Sequence, residues 1–304
     1  MIGRLALALL LAAVAATADL VREVRAAVGR NDLTAAARAV ADHRAREGVT
    51  PEMLEALSWV GRGALAVGDL RAAERNAAEV RQLALEMLQT RELDAERRLP
   101  IALGASIEVE AHALARQGAV SEAIAFLKRE IQRWGATSIR TRIQKNINLL
   151  SLEGKPAPPL EAAEHLGPQP APLESLRGKA VILFLWAHWC GDCKAQVPVL
   201  ARLQSEFGEK RLAIVGPTQR YGYATRGRQV SPDEELEHIE NVRRQHYAAL
   251  DNMPVPVSEK TFTTYGVSTT PTLVLIDPEG VVRLYHPGRM TYEELAPRVV
   301  AVYR

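Results

Sequence analysis

The sequence has few cysteines and almost no net charge. Only two of its 304 residues are cysteine, Cys190 and Cys193. Its 38 Lys and Arg nearly balance 36 Asp and Glu, giving a net charge of +2. Because a nucleic-acid partner requires clustered phosphate-neutralising charge, and no such block occurs, we expect no nucleic-acid binding. The apolar fraction of 47% and the length are enough for two domains with real cores.

Long apolar runs are also scarce. The longest, Leu5 to Ala18, follows a single positive charge at Arg4 and ends in the small residues Ala16-Thr17-Ala18. It is shorter than the ~20 residues of a membrane-spanning helix. The pattern predicts a signal peptide over 1–18, with an uncleaved anchor or a buried helix as alternatives. No cysteine follows the run, so no lipoprotein anchor is expected. We expect export to a periplasmic or other extracytoplasmic compartment, as a soluble protein after cleavage.

Residues 19–152 are poor in aromatic residues and rich in Ala, Leu, Arg and Glu, which predicts an all-helical domain. Segments 56–73 and 111–124 share a helix, a glycine-containing tight turn and a second alanine-rich helix. They resemble tetratricopeptide repeats, helical hairpins that stack to bury a common core. Their spacing exceeds the usual ~34 residues, and a plain helical bundle has the same secondary structure. A protein partner for this domain is one expectation.

A proline-rich linker over 154–172 ends the helical part, since proline cannot continue a helix. The pattern then changes. Strands are predicted at 180–187, 212–215, 272–276 and 281–285, with helices at 194–207, from Ser231 and from Thr291. This order predicts an α/β domain over 153–304, a mixed central sheet flanked by helices, with an insertion at about 217–260.

The two cysteines lie in Trp189-Cys190-Gly191-Asp192-Cys193, between a predicted buried strand and a helix. Cys190 at the helix N-terminus would have a lowered pKa and act as the nucleophile, because unpaired N–H groups and the helix dipole favour an anion. Cys193, one helical turn further, would resolve a mixed disulfide at Cys190. A glycine between them keeps the approach open for a partner polypeptide.

Other uses of the pair are less well supported. A zinc site needs four ligands, and neither a second cysteine pair nor a neighbouring histidine pair is present. Haem attachment needs His after the second cysteine, where Lys194 stands. A purely structural disulfide closing so small a loop removes little entropy from the unfolded chain. We expect no metal and no cofactor other than the redox-active disulfide.

Residues 154–304 resemble the thioredoxin superfamily, and most of all its exported TlpA/ResA-like disulfide reductases. The matching features are Gly154-Lys155-Pro156-Ala157-Pro158, the Trp-Cys-x-x-Cys motif, Pro198, Tyr265-Gly266-Val267, Thr269-Thr270-Pro271-Thr272 and Asp277-Pro278-Glu279-Gly280. The resemblance implies that Pro271 is cis and lies beside the reactive cysteine. It implies that the backbone of Thr270 binds the partner strand, and that Pro198 kinks the active-site helix.

Two residues depart from the family pattern. Phe184 stands where thioredoxins place a buried Asp, and Gln196 where the ResA-like pattern has Glu. Either carboxylate could accept the proton of the resolving thiol, so the acceptor for Cys193 is unidentified. Asp192 is interpreted as a favourable negative charge in the first helical turn rather than as a catalytic group.

Further residues near the motif have two readings each. His188 is interpreted as a surface histidine, although it could tune the thiolate. Trp186 and Trp189 are expected to pack the core or the rim of the site. The basic and aromatic segment 220–228 is interpreted as a solvated loop, with a partner-binding lip near Cys190 as the alternative.

These features predict an exported thiol–disulfide oxidoreductase that reduces partner proteins through a Cys190/Cys193 dithiol–disulfide cycle. The resemblance implies exported disulfide-containing partners and an upstream electron donor, such as a membrane thiol–disulfide transporter. The alternatives are a helical-repeat scaffold with an accessory redox domain, and a thioredoxin-fold peroxidase.

Overall fold

A computed structural model describes residues 19–225 and 227–303. The predicted signal peptide therefore lies outside the described residues. The described chain divides into two compact units, with the boundary between Ser106 and Ile107. None of the described helices is both long and apolar enough to cross a membrane.

The first unit is all-helical, as predicted. It contains α1 (Leu20–Gly29), α2 (Leu33–Glu47), α3 (Pro51–Val67), α4 (Leu70–Met87) and the first part of α5 (Arg98–Arg116). The turn between α3 and α4 follows from two residues: Gly68 ends α3 in the left-handed conformation, and Asp69 caps α4 by accepting from the Ala72 N–H. This is the predicted helical hairpin; its membership of the tetratricopeptide repeats stays a prediction.

The second unit begins with the remainder of α5, then α6 (Val120–Trp134) and α7 (Arg140–Ser151). Its α/β part contains these elements in order: β1 (His165–Leu166), β2 (Ala180–Leu185), α8 (Gly191–Phe207), β3 (Leu212–Val215), α9 (Pro232–His246), β4 (Val255–Pro256), α10 (Glu259–Tyr265), β5 (Thr272–Ile276), β6 (Val282–Pro287) and α11 (Tyr292–Ala301).

The central sheet has the strand order β3-β2-β5-β6. β2 pairs parallel with β3 and antiparallel with β5, and β5 pairs antiparallel with β6. Every residue of β2 is buried, as its continuous apolar run predicted. Ile182 and Phe184 face a core shared with α8, α9 and α11, while Leu183 and Leu185 face a second core with α10. The mixed sheet with helices on both faces is the predicted thioredoxin-like fold.

Helix α7 packs directly on α10 of the α/β part. The side-chain amide of Asn148 donates to the Thr264 carbonyl at 3.2 Å. Gly266 ends α10 with φ +63°, and a Cβ there would lie 2.3 Å from the Lys145 backbone nitrogen. The predicted domain boundary at residue 152 follows the change in secondary structure, whereas the compact unit starts earlier, within α5. The predicted boundary itself stays a prediction.

Candidate active site

The cysteine pair lies at the N-terminus of α8, immediately after the loop that follows β2. Cys190 is the N-cap residue of the helix and forms a disulfide with Cys193, with their Cα atoms 5.3 Å apart. The helix therefore begins at Gly191, earlier than the predicted Lys194. The Cys190 side chain accepts the free backbone N–H of Cys193 in the first turn, which stabilises this earlier start. Both cysteines are buried, Cys190 with 4% of its surface exposed and Cys193 with none, so Cys190 is the one nearer to the surface.

The helix terminus interacts directly with the Cys190 sulfur. Cys190 Sγ accepts a hydrogen bond from the Cys193 backbone N–H at 3.0 Å. After reduction, the same N–H and the positive end of the helix dipole would stabilise a thiolate at Cys190. Gly191 is exposed, and a Cβ placed on it would meet nothing within 4 Å. The approach to the pair is therefore open on that side.

The loop before β5 forms a second wall of the site. The Thr270–Pro271 peptide bond is cis, and the Thr270 carbonyl oxygen lies 3.4 Å from Cys190 Sγ. The Thr272 hydroxyl donates to the Thr269 carbonyl at 2.7 Å, and the Gly288 N–H donates to the Pro271 carbonyl at 2.8 Å. These bonds hold the loop from both ends, so the backbone beside Cys190 is fixed in position.

The two positions that depart from the family pattern lie in the core near the pair. Phe184 is fully buried and meets the Tyr247 ring edge-on at 6.0 Å. Gln196, one turn beyond Cys193, accepts from the Met290 N–H at 2.9 Å through Oε1, and its buried Nε2 has no hydrogen-bond partner among the described residues. Neither position supplies a proton acceptor.

Two further residues of the motif region lie where the sequence placed them. Pro198 lies inside α8, and Trp186 is buried, with its indole N–H donating to the Gly216 carbonyl at 2.8 Å.

Charge near the mouth of the site is small. Asp192 is exposed in the first turn of α8, and its carboxylate lies 3.5 Å from the Arg289 guanidinium. Both side chains are solvated, so the pair contributes little energy. Lys194 is the one cationic residue close in sequence to Cys190 that is not part of this pair.

The interpretation of His188 as a surface residue is wrong. The side chain is 1% exposed, because helix α9 of the insertion covers it. His188 Nε2 lies 3.4 Å from Glu235 Oε1, and the His238 ring centroid is 5.1 Å from that of His188. Burial lowers the pKa of His188, with His238 and Lys194 acting in the same direction and the Glu235 carboxylate opposing them.

The interpretation of segment 220–228 as a solvated loop is also wrong for the part around its tyrosines. The buried Glu235 carboxylate accepts the N–H groups of Tyr221 at 2.5 Å and Gly222 at 2.9 Å. The rings of Tyr221 and Tyr223 lie edge-on to His188 at 5.6 and 5.5 Å. Arg226 lies outside the described residues. The loop thus packs against His188 and Trp189, just before the redox pair, and its alternative role as a partner-binding lip stays a prediction.

Nothing in the local pattern pointed to Glu235. It follows a capping box at Ser231 and Glu234, where an extra acidic residue is ordinary first-turn chemistry. Its burial against His188 depends on how the insertion folds back onto the end of β2. The only sequence feature that hinted at a buried charged partner was His188, directly before Trp189.

Together, the sheet order, the disulfide at a helix N-terminus and the adjacent cis-proline loop define a thioredoxin-like redox domain. Residues 154–285 match the AhpC/TSA family. This part of the chain, less than half of its length, is therefore similar to that family.

Similar proteins carry related names. The chain is 27% identical over 152 residues to "Thioredoxin-like protein YneN" of Bacillus subtilis, covering 48% of this chain and 78% of that protein. It is 29% identical over 123 residues to "Thiol-disulfide oxidoreductase ResA" of Bacillus anthracis, covering 40% of this chain and 63% of that protein. It is 28% identical over 127 residues to "Thiol:disulfide interchange protein DsbE" of Xylella fastidiosa, covering 42% and 56%.

Solved structures overlap the same half of the chain. A thioredoxin-like superfamily protein, SPOA0173, has 22% identity and a TM-score of 0.40, covering 48% of this chain and 95% of that one. A putative thiol:disulfide interchange protein DsbE from Chlorobium tepidum has 23% identity and a TM-score of 0.39, covering 50% and 98%.

Proposed function

We propose that the protein is an exported thiol–disulfide oxidoreductase that reduces disulfides in partner proteins. The observation that carries the proposal is the Cys190–Cys193 disulfide at the start of α8, with the sulfur of the less buried Cys190 facing the cis-proline loop. The names of the similar proteins agree with this class of chemistry.

The cycle transfers two electrons. The Cys190 thiolate attacks one sulfur of the partner disulfide, and the other partner sulfur leaves and takes up a proton. The Cys193 thiol then loses its proton and attacks Cys190 Sγ. The second partner sulfur leaves and is protonated, and the Cys190–Cys193 disulfide forms again. The partner gains two thiols, and a separate donor must reduce the disulfide before the next turnover.

The geometry supports different steps for the two sulfurs. Cys190 is the less buried of the two cysteines and accepts from the helix terminus, which favours its thiolate as the attacking group. Cys193 is fully buried beneath it, where it reaches only a disulfide already formed at Cys190. The partner strand would lie along Thr270, whose backbone is beside that sulfur.

We propose a reducing direction. Strongly oxidising members of this chemistry stabilise the reduced thiolate far more than reducing ones do. Here Asp192 and Arg289 form an exposed pair of opposite charges that nearly cancel, so the thiolate gains little beyond the helix terminus. The electron donor would be a membrane thiol–disulfide transporter, and no cofactor other than the disulfide is required.

Export rests on the sequence pattern of residues 1–18 alone. A protein partner of the helical domain is likewise an expectation, supported by the all-helical hairpins of the first unit.

The direct test is turnover of insulin disulfides by the full chain with a small dithiol as reductant. We expect activity in the wild type and none above background in Cys190→Ser. Silence of the wild type, together with tight peptide binding, would favour the helical-repeat scaffold. Rapid peroxide consumption that needs Cys190, without insulin reduction, would favour the peroxidase.

A further inference from the structure

The surface next to Cys190 is aromatic. Trp189 directly precedes the reactive cysteine and keeps 50% of its surface exposed, although it is a large apolar side chain. The Tyr221 ring lies edge-on to it, with centroids 5.5 Å apart and an interplanar angle of 76°. Tyr223 continues the surface, 6.2 Å from Tyr221. We call Trp189, Tyr221 and Tyr223 the aromatic rim.

The rim is held rigidly from below. Glu235 binds the backbone N–H groups of Tyr221 and Gly222, and His188 fills the space under both tyrosine rings. A loop tip is usually mobile, but a buried carboxylate that accepts two N–H groups fixes this one. An aromatic surface that is already ordered loses little entropy when it binds a partner.

The charged residues that precede the rim loop and lie beneath it are paired or buried. Arg220, at the start of the loop, is fully engaged: its two terminal nitrogens each lie 2.5 Å from an oxygen of Glu164, and its Nε donates to the Pro232 carbonyl at 3.0 Å. Glu235 is buried beneath the loop. The three rings of the rim therefore offer apolar and aromatic contact, while the exposed Arg228 follows them in the same loop.

We propose that the aromatic rim selects polypeptide disulfides that carry an aromatic or large aliphatic residue next to the cysteine attacked by Cys190. This inference rests on the proposed function and names its substrate class. Trp189 and Tyr221 would touch the substrate, and Glu235 and His188 would act as positioning residues that hold the loop. An aromatic side chain stacked on the rim gains both buried area and a favourable ring contact.

The test uses two disulfide-closed peptides that differ only in the residue before the first cysteine, Phe or Ser. Full-length protein is reduced, freed of reductant and mixed with each peptide, and loss of its thiols is followed in a single turnover. We expect the Phe peptide to reach half-saturation at a concentration about tenfold lower, the low end for one apolar contact. The limiting rates should be similar, because the reacting sulfurs are the same.

The variants assign this preference to the rim. Tyr221→Ala and Trp189→Ala should each bring the ratio of half-saturating concentrations towards one, and Glu235→Gln should lower it by loosening the loop. Trp189 is exposed, so its variant does not depend on refolding of a core. Tyr292→Ala removes a partly exposed tyrosine on α11 and serves as the matched control, with the wild-type ratio retained.

Two failures can be told apart. If the wild type reduces both peptides with the same half-saturating concentration, or if Tyr221→Ala and Trp189→Ala keep the preference, the rim does not select substrates and the reductase stands. If the wild type reduces neither peptide and no insulin, the proposed function fails and the rim proposal fails with it.

Discussion

His188 Nε2 and Glu235 Oε1 lie 3.4 Å apart in the interior, one in the loop between β2 and α8 and the other on α9 of the insertion. The contact joins the redox motif to a segment that plain thioredoxin topology does not require. Glu235 also accepts two loop N–H groups, so a single buried carboxylate organises three parts of the site.

Removing this carboxylate should destabilise the domain. Glu235→Ala leaves the partly buried Tyr221 N–H without its acceptor, at a cost of about 1–3 kcal/mol, and also removes the carboxylate that the Gly222 N–H and the His188 ring meet. We expect the free energy of unfolding in urea to fall by about 2 kcal/mol. Glu234→Ala, one residue earlier but exposed, should cost less than about 1.5 kcal/mol as loss of a capping interaction. Equal losses would contradict a special role for Glu235.

The buried histidine should make stability depend on pH. The pKa of His188 in the folded protein is lowered by burial, so below about 6.5 the unfolded chain binds a proton that the folded chain does not. Stability is then lost as the pH falls below about 6.5, with a slope of up to about 1.4 kcal/mol per pH unit. Urea unfolding of wild type and His188→Gln at pH 7.5, 6.5 and 5.5 measures this slope.

The comparison of those two proteins isolates His188 from other groups. His246, whose pKa is also lowered by burial, contributes in the same direction in both proteins. If wild type and His188→Gln lose stability in parallel between pH 7.5 and 5.5, the buried site is not responsible.

The left-handed glycine that ends α10 should be intolerant of a side chain. In Gly266→Ala the new Cβ would meet the Lys145 backbone at 2.3 Å, so α7 must move away from the loop that leads to Thr270. We expect an unfolding free energy lower by more than about 3 kcal/mol. Gly68→Ala is the matched control: Gly68 also ends a helix with positive φ, but a Cβ there meets nothing within 4 Å. Its cost should be about 1 kcal/mol, from conformation alone.

Much of the fold follows from local patterns. The apolar run from Ala180 is long enough for one strand and lacks polar alternation, which indicates burial on both faces, and the strand is buried throughout. Proline and capping residues placed the start of α9 at the predicted position. Such features depend on neighbouring residues in the chain, so they can be predicted from the sequence.

The environment of the cysteine pair was only partly predictable. The strand–helix junction located the pair, but the burial of His188 depends on where an insertion with no repeat or motif folds back. The contact of α7 with Gly266 could not be predicted either. The apolar periodicity of a helix shows which of its faces is buried, but not which surface that face packs against. Long-range packing, rather than propensity, determined both.

The two thiols of the reduced protein should differ in reactivity. Cys190 is the less buried sulfur and receives the helix-terminus N–H, so its thiolate is both stabilised and reachable. Iodoacetamide at neutral pH should label Cys190 several-fold faster than Cys193, as read by mass spectrometry of the peptides. Faster labelling of Cys193 would reverse the assigned roles.

The unknown partners should be capturable as covalent adducts. In Cys193→Ala, Cys190 still attacks a partner disulfide, but the mixed disulfide has no internal thiol to resolve it. The sequence contains no third cysteine that could take over. Disulfide-linked complexes should therefore accumulate in the compartment to which the protein is exported and appear on a non-reducing gel. Mass spectrometry of the bands would identify the partners.

Two further variants sharpen this trapping experiment. The double change Cys190→Ala with Cys193→Ala removes the attacking sulfur, so it should trap nothing and sets the background. Adding Trp189→Ala to the Cys193→Ala variant leaves both reacting sulfurs unchanged but removes one of the three rings of the aromatic rim. Partners with aromatic or large aliphatic residues next to the captured cysteine should then decrease relative to the others. If Cys193→Ala traps nothing above the double variant, the oxidoreductase proposal is contradicted, and the helical-repeat scaffold becomes the better account of the chain.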